Sequence, residues 1–560
     1  MLKTLPVLVF CWICASPITA QVPRPSTLIN TNELDDSRGI GLASAGELTA
    51  VVWNEGGATN QVFVAVSDGR GLSWSAPLRV DADTSVKTTQ QDSVFVSGDS
   101  VYVVWEADTA AFFSRSLDRG ATFEPPVPLD IGPGSLRDWR VAVSPDAAGD
   151  HIYVLASTAV TDEDLFLTAS HDGGSSFSAA ILVPAVGSEG DVDALALAAD
   201  GPNVHVAWDD NRSGRDAVYY QRSSDGGATF LAADVELGDD VGVEDSQDPV
   251  NVALLGSTVA VGWNEEPTGT GAETVVVNVS TDGGDTFQGA VTVGSYTVGV
   301  DDTDEGDISI NATGNVIVTW EDDRTGVDEA YVSVSTDGGA TFGPDLQLSS
   351  NGAQNLAILA GGGATSDLVF WESTTFPSTA ESSFSRDGGL TWSASLRLSD
   401  NSGFVDFPTA TRNALYGNYV HAWAALDLIN LKLYGGGFRP QTLTPVGNFI
   451  PGEEVHFEVE NYPSEDDGLP FGILLSGSDG ELLLPLGDGR NTGLENDALL
   501  NASLGLIPGP LSGTIGPDGS GSTPSITLPA GFPADVRAIA ISLDPGAPVP
   551  FVTLTDVVIP

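Results

Sequence analysis

Short apolar runs recur along most of the chain, cut at close intervals by Gly, Asp, Ser and Asn. Val51-Val52-Trp53, Val103-Val104-Trp105, Val206-Ala207-Trp208, Val261-Gly262-Trp263, Val318-Thr319-Trp320 and Val369-Phe370-Trp371 all end in tryptophan. Runs this short, rich in β-branched and aromatic residues and bounded by turn formers, predict strands. An earlier short run precedes each, such as Val94-Phe95-Val96 or Ile308-Ser309-Ile310. A third follows, such as Ala217-Val218-Tyr219-Tyr220, and then a fourth, such as Ala76-Pro77-Leu78-Arg79-Val80. In the third unit Ala156 stands where the tryptophan is expected.

Between the third and fourth runs lies an octet, Ser-x-Asp-x-Gly-x-Thr/Ser-aromatic. It starts at Ser116, Ser170, Ser223, Ser280, Ser335 and Ser385, and a degenerate copy starts at Ser67 with Gly69 in the Asp position. From Ser67 onward the starts are 49, 54, 53, 57, 55 and 50 residues apart. A period near fifty means stacked supersecondary units that share their cores. The octet chemistry is structural. Asp118, Asp172, Asp225, Asp282, Asp337 and Asp387 accept backbone N–H groups in a tight turn, Gly supplies the positive φ, and the aromatic fills the gap between strands. Four short strands per unit, with turns between them, describe a propeller blade.

An eighth unit has three strand runs, Phe407–Thr411, Tyr419–Trp423 and Leu431–Tyr434, and lacks the octet and a fourth strand. Ser26–Asn30 resembles the fourth strands elsewhere and would complete that blade, closing the ring and removing open sheet edges. Eight blades are expected; seven, with the last unit as a linker, is the alternative. Residues 1–20 read as a secretory signal, with Lys3, an apolar stretch from Leu5 to Ile13 and small residues before Gln21. Cys11 and Cys14 both fall inside it, so neither disulfide nor thiolate chemistry is expected of the secreted chain. The propeller is assigned residues 21–436. Tyr434-Gly-Gly-Gly437 is a hinge, and residues 437–560 alternate in another texture, with strand candidates at Val455–Val459, Phe471–Leu475, Leu482–Leu486, Ser525–Leu528 and Val536–Ile541. A small β-sandwich is expected there. The fold class is therefore all-β, an Asp-rich-turn propeller followed by a sandwich.

Charge narrows the function. The 560 residues carry 77 Asp and Glu against 21 Lys and Arg, a formal net charge of −56, with lysine only at positions 3, 87 and 432. A nucleic-acid partner is excluded by the lack of a basic face. With 41% hydrophobic residues the chain can bury sizeable cores and is not disordered. No later segment is long and apolar enough to span a membrane as a helix. The surface should attract cations.

The octet resembles the Asp box, or BNR repeat, of sialidase-like propellers. Six full copies and one degraded copy cover about three-quarters of the chain. The resemblance implies a propeller fold, and the family holds both glycosidases and non-catalytic secreted proteins. Its sialidases open with Phe/Tyr-Arg-Ile-Pro, set three arginines around a substrate carboxylate, and use a Tyr–Glu nucleophile pair with an Asp acid/base. Ser37-Arg38-Gly39-Ile40 is the nearest equivalent of the opening, without its Phe and Pro and with Gly39 between Arg and Ile, so Arg38 alone carries over.

In a propeller the chain enters the first strands and links the second to the third strands on one face, opposite the octet turns. Arg38, Asp92, Arg140, Asp193, Asp248, Asp307 and Asp406 stand at first strands. Asn54, Glu55, Glu106, Asp209, Asp210, Asn264, Glu265, Glu321, Asp322 and Glu372 follow the tryptophans, with the similar loops Trp208–Gly214 and Trp320–Gly326 contributing Arg212 and Arg324. Three roles compete for these carboxylates. They cap loops; or Asp92, Asp193, Asp248 and Asp307 hold Ca²⁺ locally, the one cofactor considered; or a carboxylate pair hydrolyses a glycoside, with Arg38, Arg140, Arg212 and Arg324 clamping an anionic sugar. The five histidines have no metal-ligand spacing. The leading expectation is a secreted recognition protein for a glycan or extracellular protein, non-catalytic; the alternatives are a sialidase-type exo-glycosidase and a structural envelope or matrix protein.

Overall fold

The computed structural model describes residues 27–30, 39–55, 61–67, 71, 73–81, 87–89, 93–147, 149–159, 163–185, 192, 194–212, 216–239, 251–265, 273–294, 303–359, 367–374, 378–399, 405–413, 418–427, 430–438, 442–447, 454–460, 469–476, 511–515, 520–527, 537–543 and 551–554. The expected signal segment, Arg38, Asp92, Asp193, Asp248 and the strand candidate Leu482–Leu486 lie outside these residues. Among the described residues there is no helix; the chain is all-β and forms an eight-bladed propeller.

Each blade is an antiparallel sheet, strands in chain order from the centre outward. Blade 1 is Gly41–Ala45, Leu48–Glu55, Gln61–Ser67 and Leu78–Arg79. Blade 2 is Val94–Ser97, Ser100–Ala107, Ala110–Ser116 and Val127–Pro128, with Lys87–Thr88 also pairing on its second strand. Blade 3 is Ser135–Ser144, His151–Ala159, Glu163–Ser170 and Ile181–Leu182. Blade 4 is Leu195–Asp200, Asn203–Asp210, Ala217–Ser223 and Val235–Asp239. Blade 5 is Asn251–Leu255, Thr258–Glu265, Thr274–Ser280 and Val291–Val293. Blade 6 is Thr303–Ile310, Val316–Asp322, Glu329–Ser335 and Leu346–Gln347. Blade 7 is Gln354–Leu359, Asp367–Glu372, Ala380–Ser385 and Leu396–Arg397.

Blade 8 takes Val405–Asn413, Asn418–Asp427 and Asn430–Phe438 from the end of the repeat and its outer strand, Thr27–Leu28, from the start of the chain. Thr27 registers with Gly435 and Leu28 with Tyr434. The clasp continues past the strand: Ile29 N donates to Leu433 O at 2.9 Å, and Leu433 N donates to the buried Asn30 Oδ1 at 2.8 Å. The expected completion of the last blade is thus observed at residues 27–30, with eight blades and not seven, and Ser26 lies outside the described residues.

Each blade is covered on both faces by its neighbours, so second strands bury most of their side chains and read as continuous apolar runs. Leu48–Glu55 and Val316–Asp322 are buried along their whole length. Eight hydrophobic clusters fill the eight seams, the last joining blade 8 to blade 1 through Val420, Ala422, Leu433, Leu42 and Trp53. One fully buried tryptophan belongs to each blade: Trp53, Trp105, Trp139, Trp208, Trp263, Trp320, Trp371 and Trp423. Each packs toward the preceding blade, as Trp105 does against Ala50, Val52 and Val64. Burial of one such ring removes enough apolar surface for about 4–6 kcal/mol of transfer free energy. Blade 3 lacks the tryptophan on its second strand. Trp139, directly across the pair from Ala156, fills the same seam from the innermost strand.

The octets form the turns expected. In the copy at Ser280, the Ser280 hydroxyl donates to Asp282 Oδ1 (2.7 Å) and accepts from Gly284 N (2.9 Å). Asp282 then accepts from Thr286 N (2.8 Å) and Thr286 Oγ1 (2.6 Å). The same bonds recur around Asp118, Asp172, Asp225, Asp337 and Asp387. Even the degenerate copy keeps Gly71 N donating to Ser67 Oγ. The hydroxyl hydrogen bond from the octet threonine, with the other donors, holds the carboxyls of Asp118, Asp225, Asp282 and Asp337 down at about 2. The second octet glycine does more than supply a positive φ. At Gly284 (φ +81°) an added Cβ would meet the Tyr220 hydroxyl of blade 4 at 1.9 Å, so the turn docks directly onto the preceding blade.

Two further antiparallel sheets follow. Glu454–Glu460 pairs on one side with Thr442–Gly447 and on the other with Gly521–Ser522 and Ile526–Thr527, while Pro470–Ser476 lies between Ser512–Thr514 and Arg537–Leu543, which pairs with Phe551–Leu554. Leu443, Phe457 and Val459 of one sheet share a buried cluster with Phe471, Ile473 and Ala540 of the other.

Candidate functional site

The octet turns hydrogen-bond to the first hairpin of their own blade: Arg119 N to Asp99 O, Gly173 N to Asp150 O, Gly226 N to Pro202 O and Gly283 N to Ser257 O. That face is occupied by turn-to-turn bonding. The other ends of the second strands, where the residues after the tryptophans sit, form the opposite face.

On it, the residue two after the tryptophan latches the indole. Trp208 Nε1 donates to Asp210 Oδ2 (3.0 Å), Trp320 Nε1 to Asp322 Oδ2 (3.2 Å) and Trp53 Nε1 to Glu55 Oε1 (3.3 Å). Arg212 and Arg324 complete the latches. The Arg212 guanidinium donates to Asp210 and, at 2.6 Å, to Asp234; Arg324 donates to Asp322 and, at 2.8 Å, to Asp345. Arg212 lies over the Tyr219 ring and Arg324 over Tyr331, each 4.4 Å from the centroid. Burial alone would lower the pKa of Arg212, but the hydrogen bonds and charges of Asp210 and Asp234 outweigh it and raise it. For Arg324 the Asp322 hydrogen bond leads, and the shift is also upward. Blade 5 separates these two arginines, and each is engaged by two carboxylates of its own blade.

Arg140 sits differently. The innermost strand of blade 3 bulges between Leu136 and Asp138, and blades 6, 7 and 8 bulge at the same level, between Asp304 and Asp307, Gln354 and Ala357, and Asp406 and Thr409. A bulge re-aims the side chains beside it. In blade 3 it presents Asp138 and Arg140, both partly exposed and paired through Arg140 Nη1 at 2.8 Å to each Asp138 oxygen. Glu106 of blade 2 stands near them. Burial, helped by the Asp138 charge, raises its carboxyl above the usual range. In blade 6, Asp307 lies within the innermost strand, at its bulge, and accepts from the next backbone amide, Ile308 N, at 2.8 Å.

The structure therefore pairs Arg140 with Asp138, whose charge reaches Glu106, keeps Arg212 and Arg324 apart, and leaves Arg38, Asp92, Asp193 and Asp248 outside the described residues. Sequence reasoning missed Asp138. Its position two residues before Arg140 put both on one strand face; the bulge that turns them to the rim has no glycine or proline to mark it. Among the described residues no group of three or more His, Cys, Asp or Glu is arranged to hold a metal ion, and no helix is long and apolar enough to cross a membrane.

No protein-family model matches the chain, and no curated protein does. Solved structures of similar architecture include a polysaccharide lyase, an ulvan lyase, at 9% identity and a TM-score of 0.44, covering 74% of this chain and 95% of that one. An α-L-arabinofuranosidase from Fusarium graminearum is similar at 13% identity and a TM-score of 0.34, covering 54% of this chain and 90% of that one. The β-propeller domain of the Trilobed protease from Pyrococcus furiosus is similar at 9% identity and a TM-score of 0.37, covering 65% and 99%. At these identities the likeness is one of fold.

Proposed function

We propose that the chain is a secreted Asp-box propeller that recognises a glycan or an extracellular protein without catalysis, on the face away from the octet turns, with the two C-terminal sheets as an attached β-sandwich. The observation that carries this reading is the rim of blades 2 and 3. There Asp138 and Arg140 emerge partly exposed from a bulge beside Glu106. Carboxylates that accept and a guanidinium that donates suit a ligand dense in hydroxyl groups. An anionic sugar suits the face poorly. The net charge of −56 repels it, and Arg212 and Arg324 already serve buried carboxylates. Cations bound in single loops of this acidic face belong to the same reading, and a Ca²⁺ titration followed by calorimetry and melting tests them. Glycan arrays with the full chain, followed by calorimetry on Asp138→Ala and Arg140→Ala, test the recognition itself. Loss of binding in both variants at unchanged melting temperature supports the rim, and retained binding removes it.

A second reading has one observation in its favour. A carboxyl raised by burial beside another carboxylate is the arrangement of a glycosidase acid, which makes Glu106 the residue to question in an exo-glycosidase. Turnover of any glycoside that Glu106→Gln abolishes would favour it.

A further inference from the structure

On the octet face, side chains of one blade tie to the octet of the next. Arg115 Nη1 donates to Gly173 O from blade 2 to blade 3, and Arg222 pairs with Asp285 from blade 4 to blade 5. Gln288 Nε2 donates to Gly338 O (3.1 Å) from blade 5 to blade 6, and Asn315 Nδ2 to Gly388 O (2.8 Å) from blade 6 to blade 7. None of these ties is made by an imidazole. The tie from blade 3 to blade 4 differs. It is His171, whose ring packs so closely on the backbone of Gly226 that a Cβ there would meet Cε1 at 2.6 Å.

His171 is itself held by a second imidazole. His151 Nδ1 and His171 Nδ1 are 2.7 Å apart, with the rings edge to face at 4.9 Å between centroids. One nitrogen must donate and the other accept, so at least one ring is neutral in this arrangement. Tyr153 stacks on His151 and lies edge-on to His171.

We propose that this histidine pair is a pH-sensitive clasp on the seam between blades 3 and 4, closed while one ring is neutral and opened when both are protonated. With two protons, two donors would face each other across the contact and two like charges would adjoin. The groups around the pair do not remove that conflict. Asp146 lies 3.8 Å from His151 Nε2, on the far side of the ring. Asp150 is taken by the Tyr102 hydroxyl at 2.7 Å. Asp172 and Asp225 are turned into their own octets, toward Ser176 and Thr229; the Asp172 charge favours a protonated His171, but burial and the His151 neighbour outweigh it. Arg115 contributes a further positive charge near the blade 3 octet, at Gly173 O, and the Tyr153 hydroxyl donates to Gly201 O of blade 4, beside Asp200.

Burial and then the His151 neighbour lower the pKa of His171. A histidine lowered by folding stabilises the fold above the ordinary histidine value, and that stability is lost as pH falls through the folded value. The seam should therefore loosen on acidification. Amide exchange of the full chain, corrected for intrinsic rates, reads this directly at Gly226 and Gly227, with Gly339 of the blade 5–6 seam as control. Between about pH 7.5 and about pH 5, protection at Gly226 and Gly227 is expected to fall several-fold in the wild type. It should stay level at Gly339, and the pH response should vanish in His171→Gln. An equal response in the variant, or none in the wild type, overturns the proposal. Should His171→Gln fail to fold, His151→Gln and the imidazole nitrogen shifts of the wild type decide the matter. One ring remaining neutral where free histidine is protonated is expected; two rings titrating independently at the ordinary value contradicts the clasp.

Discussion

Trp139 stands across the strand pair from Ala156, and it fills from the innermost strand the seam that the other blades fill from the second. The ring of eight buried tryptophans is thereby complete although the repeat itself is broken at Ala156. Trp139→Ala should cost about 3–5 kcal/mol, as for other buried large-to-small changes. Urea unfolding measures it. A cost under about 1 kcal/mol, the range of tolerated core swaps, would mean the seam collapses around the gap.

The closure of blade 8 rests on a short strand and one buried amide. Asn30→Leu leaves Leu433 N without its acceptor in a dry site, at a cost of about 1–3 kcal/mol. The Asn30→Asp variant keeps an acceptor and should cost less at neutral pH. Exchange of the Leu433 amide reports the local effect; equal protection in all three proteins would show that the clasp is carried elsewhere.

Arg324→Leu strips a guanidinium from Asp322, whose side chain has no exposed surface, and from Asp345. Breaking such a pair from one side typically costs about 3–5 kcal/mol. The double variant Arg324→Leu, Asp322→Leu should recover part of that loss, because the fully buried Asp322 charge is removed together with its guanidinium. A double variant weaker than the sum of its singles would contradict the latch.

The octet carboxyls give the propeller a defined acid limit. Asp118, Asp225, Asp282 and Asp337 lie near 2 when folded, below the ordinary 3.8, through bonds from their octet hydroxyls and amides. Depressed carboxyls stabilise the fold above their unfolded value, and this is lost as pH falls from about 4 toward about 2. Thr286→Val and Thr341→Val remove the strongest donor to Asp282 and Asp337, so near-ultraviolet circular dichroism should show their acid midpoints moved upward. Midpoints unchanged from the wild type would separate these bonds from acid stability.

Much of the architecture was legible because the signals were local. The octet fixes its own turn through bonds within eight residues, and the apolar run ending in tryptophan marks a strand buried on both faces. The closure by Ser26–Asn30 could be read because blade 8 lacked one strand and a short run ahead of the first blade supplied one. Trp139 was not legible in the same way. It lies on an innermost strand, and only the register with Ala156 reveals the exchange. The site was less readable still. The bulge at Leu136 and Asp138 depends on how blade 3 meets the ring, and Arg212 and Arg324, attractive as substrate clamps, are committed to Asp234 and Asp345 some twenty residues further along the chain.

The central claim is recognition without turnover at the rim of blades 2 and 3. Its most direct measurement pairs calorimetry with product analysis on the same glycan samples, for wild type and for Glu106→Gln and Arg140→Ala. The expected result is binding by the wild type, binding weakened in Arg140→Ala, and unaltered glycan recovered from every protein. Release of new sugar ends by the wild type, lost in Glu106→Gln, would contradict it and make the rim a glycosidase centre.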